Sequence, residues 1–84
     1  MDVIAALVEV MAEARAQSGV SQAAVADAGN VGQRTVERWE SQRSWPWKED
    51  LPAAVAAYLS LTGKSEKAFW DEAVERASTA LSAT

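Results

Sequence analysis

VSQAAVADAGNVGQRTVERWESQRSWP, residues Val20 to Pro46, holds two short helical patterns separated by a stop. Ser21 can cap a helix, because its hydroxyl accepts a hydrogen bond from a first-turn N–H that has no partner inside the helix. Gln22 to Ala28 then reads as a small Ala-rich helix with Val25 as its apolar position. Ala28-Gly29-Asn30 ends it, since Gly and Asn tolerate the left-handed conformation of a helix stop. A second helix is predicted from about Gly32 to Ser41. Val36 and Trp39 sit three apart on its inward side, and polar and basic residues occupy its start.

Upstream, Asp2 to Gln17 predicts a helix whose Ile4, Leu7, Val8, Met11 and Ala14 keep the spacing of a core-facing stripe. Val3 and Val10 fall outside that stripe and are expected on the surface, a small dimer contact being their other use. Ser18-Gly19 supplies the stop. Downstream, Pro46 blocks helix continuation and biases Trp45 toward an extended backbone. Trp45 and Trp47 read as structural, packing on a neighbouring helix or covering a subunit contact, because base-stacking platforms suit single strands. A fourth helix should run from Asp50 or Leu51 to about Leu61, with Pro52 tolerated in its first turn and Leu51, Val55, Tyr58 and Leu59 inward. Ser65 caps a fifth helix that continues through Leu81 with the stripe Phe69, Trp70, Ala73, Val74, Ala77 and Leu81. Gly63-Lys64-Ser65 imitates the end of a phosphate loop, but Tyr58 stands where that motif needs its earlier glycine, so the match fails.

These elements predict an all-α fold: one domain over residues 1–84, a compact bundle of about five helices, with the two-helix unit at about 21–41. Eighty-four residues, 49% of them apolar, bury a core sufficient for four or five helices and little more. The chain has neither Cys nor His, which removes disulfides, thiolate metal sites, the commonest catalytic base and the commonest transition-metal ligand. Asp71, Glu72 and Glu75 read as a solvated acidic face, not as a hard-metal site. No enzyme, metal or cofactor is expected. Met-Asp-Val opens the chain without a basic region or a long apolar run, so neither secretion nor membrane insertion is expected, and the expected location is the cytoplasm.

Net charge is −4, which argues against a domain held on DNA by charge alone. Its distribution says more. Residues 1–32 carry one Arg and four acids, and residues 49–84 carry three bases and six acids. Residues 33–48 carry Arg34, Arg38, Arg43 and Lys48 against Glu37 and Glu40, the only net-positive segment of the chain.

Ser21-Gln22, Ala26, the turn at Asn30 and Thr35-Val36-xx-Trp39-Glu40 together resemble the helix-turn-helix of the phage Cro and repressor (XRE-like, lambda-repressor-like) family, without a gap from Gly19 to Glu40. Ala26 stands at the small residue that lets the two helices approach, and Asn30 at the turn position usually held by Gly. The sequence departs from the pattern at Gly29, usually Leu or Val, at Gly32, usually a Ser or Thr cap, and at Ala24, usually the Glu of a capping box. The first departure is expected to loosen packing under the turn and the other two to weaken caps. The resemblance implies a structural salt bridge between Arg15 and Glu40. It also implies a recognition helix that enters the major groove by its N-terminal end, with Gln33, Arg34, Thr35 and Arg38 at base edges. Gln22 would touch phosphate and brace Gln33, and Arg43 and Lys48 would lie against phosphates. Arg suits the O6 and N7 of guanine, Gln the N6 and N7 of adenine.

The expected function is therefore that of a sequence-specific transcriptional regulator, a small phage or prophage repressor of the Cro type in a bacterial cell. It would bind a palindromic double-stranded operator as a homodimer through Trp70, Val74 and Leu81. A second reading keeps the same fold but gives it a protein partner, which the acidic surface and the extra tryptophans favour. An antitoxin is a third, poorly supported by a chain without a separate toxin-binding tail.

Overall fold

Asp2 opens the first helix, α1 (Val3–Gln17), its carboxylate accepting the Ile4 N–H at 3.1 Å. The computed structural model describes the backbone of residues 2–82 and side chains as far as residue 80. Over that span it is built of five helices. Helix α2 (Gln22–Gly29) begins at Ser21, whose Oγ accepts the Ala24 N–H at 3.1 Å. It ends at Asn30, which takes the left-handed conformation at φ 54°. Helix α3 (Gln33–Glu40) starts at Gly32 with no side-chain cap bond, as expected of a residue without a hydroxyl. Helix α4 (Asp50–Thr62) closes at Gly63, φ 69°. Helix α5 (Glu66–Ser82) starts after Ser65, whose Oγ accepts the Ala68 N–H at 3.1 Å.

The loop after α3 depends on a residue that its sequence does not advertise. Gln42 takes a left-handed step at φ 62°, and Arg43 and Ser44 both return their N–H groups to the Arg38 carbonyl, at 2.9 and 3.3 Å. The Gln42 amide donates to the Ala5 carbonyl at 3.3 Å, and its oxygen accepts the Trp45 indole N–H at 3.2 Å. One side chain thus ties the loop to α1 and orients a tryptophan.

Helix α1 is the hub of the core. It packs against α5 on one side and against α4 and α3 on the other, so it buries Ala5, Ala6, Leu7, Val8, Val10, Met11 and Ala14. Val10, expected on the surface, is only 4% exposed. A stripe of one helix face assumes one neighbour, and a helix flanked on two sides needs a wider apolar arc. Val25, Val36, Trp39, Val55, Tyr58, Phe69 and Ala73 complete the core. Each large side chain fully buried there contributes about 1.5–3 kcal/mol of transfer free energy.

A charged bracket closes the α1–α5 seam. Arg76 on α5 grips Glu13 with both terminal guanidinium nitrogens at 2.6 and 2.7 Å, and also reaches Glu9 at 2.7 Å and Glu72 at 2.9 Å. On the outer side of α5, Val74 is 53% exposed, whereas Trp70 is half-buried beside Leu51, Val55 and Leu59 of α4. The Leu81 side chain lies outside the described residues. The acids Asp71 and Glu72 are paired with Lys67, at 2.6 Å, and Arg76.

Candidate DNA interface

Successive residues of an α-helix turn by about 100°, so burial of Val36 and Trp39 fixes the orientation of α3. Arg34 falls in the middle of the outward face, with Glu37 and Arg38 to either side and Gln33 at the N-terminal edge. All four are exposed, while Thr35 is half-buried on the flank toward the core. Arg34, Glu37, Arg38, Ser41 and Arg43 line one shallow hollow. Lys48 is not brought to it. It lies instead beside Asp2, Ile4, Trp45, Pro46, Trp47 and Leu51 in a second, apolar groove.

Charge pairing sorts the cations into two groups. Arg15, Lys67 and Arg76 are bound to carboxylates. Among the described residues Arg34, Arg38, Arg43, Lys48 and Lys64 have no carboxylate partner, so every unneutralised cation except Lys64, in the turn before α5, stands in the positive segment of the sequence. Such cations attract a polyanion and are available to donate to phosphate or base edges.

The back of α3 is held by Glu40. Arg15 donates to it from Nε and Nη2 at 2.7 and 2.8 Å, a two-pronged pair that also places Nη1 2.8 Å from the Val20 carbonyl. The Tyr58 hydroxyl donates to Glu40 Oε2 at 2.7 Å and the Gln22 amide to Oε1 at 3.0 Å. Helices α1, α2 and α4 thereby converge on the last residue of α3. The pair is largely withdrawn from water, with 17% of the Arg15 side chain and 8% of the Glu40 side chain exposed. Burial pushes the Glu40 carboxyl up, but the bonds from Arg15, Tyr58 and Gln22 and the Arg15 charge outweigh it, leaving Glu40 below the ordinary carboxylate range. Burial, then the adjacent carboxylate, drives the Tyr58 hydroxyl above its ordinary range.

Tyr58 was legible only as a core residue, yet a tyrosine on a buried stripe needs a partner for its hydroxyl, and that was the available signal. Gln22 donates to Glu40, and among the described residues no hydrogen bond joins it to Gln33. Its second amide N–H remains for another acceptor.

Two short helices with a tight left-handed turn, the second presenting an outward row of polar and cationic residues from a braced back, define a helix-turn-helix DNA-binding module. A helix-turn-helix family model matches residues 11–58, more than half of the chain. The chain belongs to the XRE-like helix-turn-helix family of DNA-binding transcription regulators, a family of regulatory domains and not of enzymes. No curated protein and no solved structure matches the chain. Among the described residues no helix is long and apolar enough to cross a membrane.

Proposed function

We propose that this chain is a sequence-specific regulator that lays α3 in the major groove of duplex DNA, reading bases with Gln33, Arg34, Thr35 and Arg38 and holding phosphates with Gln22, Arg43 and Lys48. The observation that carries this reading is the placement of unpaired Arg34, Arg38 and Arg43 around one hollow of an otherwise acidic molecule. Thr35, half-buried, contributes from the edge. Gln22 offers its second N–H, and Lys48, which lies apart from the arginine hollow, would meet a phosphate beyond it. The resemblance to Cro and repressor proteins supports the finer reading: a small phage-type repressor bound as a dimer to a palindromic operator. In that reading the recognition helices of the two copies lie about one DNA turn, ~34 Å, apart.

Selection of bound duplexes from a random pool at moderate salt tests this reading, with an Arg34→Ala, Arg38→Ala double variant in parallel. A two-fold symmetric motif that the variant loses is the expected result. A folded wild-type protein that enriches nothing would refute the reading. It would favour the alternative of a protein-binding module, whose surface would be the groove where Trp47 is 75% and Trp45 43% exposed.

A further inference from the structure

Glu37 is the one acid in the hollow of α3. Arg34 precedes it by three residues and Arg38 follows it directly, yet neither pairs with it. A regulator that bound only phosphate would gain nothing from a carboxylate here, because the acid repels the backbone that its neighbours attract. Carboxylates accept hydrogen bonds and donate none. In the major groove guanine and thymine present acceptors, and only the exocyclic amines of cytosine and adenine donate. Adenine sets its N7 acceptor beside the amine, whereas cytosine N4 has no such neighbour. Cytosine is therefore the base that Glu37 meets without repulsion. Side chains three apart on a helix start about 5–6 Å from each other, against a rise of about 3.4 Å per base pair. Glu37 and Arg34 thus reach the same base pair or adjacent ones.

Resting on the DNA reading above, we infer that Glu37 is a specificity-determining residue, accepting a hydrogen bond from N4 of a cytosine one step from the base pair whose guanine Arg34 reads. The same carboxylate weakens binding to every sequence that offers it phosphate or carbonyl oxygen instead, so it sharpens discrimination from both sides.

The test is selection from a random duplex pool with the wild type, Glu37→Gln and Glu37→Ala, with thermal melts to establish that both variants fold. Wild type is expected to select cytosine at one position of its motif. Glu37→Gln should shift that position toward adenine, whose N6 and N7 suit an amide. Glu37→Ala should accept all four bases there, lose about tenfold or more in discrimination, and bind unrelated duplex more tightly than wild type. A second measurement needs no variant: changing that C·G pair to T·A should cost the wild type about tenfold or more in affinity. An unchanged motif in both variants, or no loss on the T·A site, overturns the role of Glu37 and leaves the DNA reading standing. Absence of any motif with folded wild type overturns the DNA reading itself, and this role with it.

Discussion

At the scale of single residues, the decisive feature is that Glu40 has three side-chain donors and not one. An isolated buried Arg–Glu pair can often be exchanged for apolar residues at little cost. Here that exchange would strand the Tyr58 hydroxyl, which is fully buried. Arg15→Met is expected to destabilise the fold by about 3–5 kcal/mol and Tyr58→Phe by about 1–2 kcal/mol. Arg15→Met with Glu40→Leu should recover much of the first loss only when Tyr58→Phe is added, as denaturant unfolding of the series would reveal. The same carboxylate sets an acid limit. Glu40 and Glu13 sit below the ordinary range in the folded state, so their stabilisation is complete above the unfolded carboxylate value, about pH 4. It is lost as pH falls through the lower folded value. Thermal melts from pH 2 to 8 should fall on that acid side, and less steeply in Arg15→Met, where burial of Glu40 is no longer opposed by the guanidinium. Identical acid profiles would contradict the assignment. On the outward face, Arg34→Ala should cost about 1–3 kcal/mol on the selected site and relax one base position. Arg43→Ala should weaken all sequences alike and lower the salt slope by about one. Equal small effects would contradict both roles.

At the scale of elements, of the two glycines that depart from the family pattern Gly29 differs from the simple expectation and Gly32 follows it. A Cβ on Gly29 would meet Ala57 Cβ at 3.6 Å, ordinary contact distance. The turn is therefore closed by α4 approaching the glycine, and is not left loose beneath it. Gly29→Ala should stabilise the domain by about 0.5–1 kcal/mol through helix propensity and a less flexible unfolded chain. Gly32 has the extended backbone of a helix cap, φ −75° and ψ 149°, without a cap bond. Gly32→Ser should add that bond and gain a few tenths of a kcal/mol or more, read as a higher urea midpoint with an unchanged m-value. Destabilisation by either change would contradict the ordinary contact distance at Gly29 or the room for a side chain at Gly32.

For the whole molecule, charge and apolar surface are segregated. Arg34, Arg38 and Arg43 stand free around α3, while Glu9, Glu13 and Glu72 are gathered by Arg76 on the α1–α5 seam. Among the described residues two apolar surfaces stay uncovered, the Trp45–Trp47 groove and Val74 on α5. Assembly through α5 predicts that sedimentation at increasing concentration gives a dimer and that Val74→Glu, a change at an exposed site, returns it to monomer without lowering the melting temperature. If Val74→Glu leaves the dimer intact, assembly uses the other surface or none.

The sequence by itself determined what short-range chemistry encodes. Ser21, Asn30, Gly63 and Ser65 mark helix ends, apolar spacing marks five helices, and the gapless match from Gly19 to Glu40 marks the family. Those signals lie within a few residues of the structure they specify. Only the tertiary structure decided that Val10 is core, that Gln42 ties its loop to α1, that Lys48 stands apart from the arginine hollow, and that Tyr58 and Gln22 join Arg15 on Glu40. Each depends on which helix faces meet, the hydrogen bonds among them spanning 18 to 37 residues of chain, and no local spacing records the angle at which two helices pack. A buried polar atom needs a partner wherever the chain can bring one, and the fold chose it.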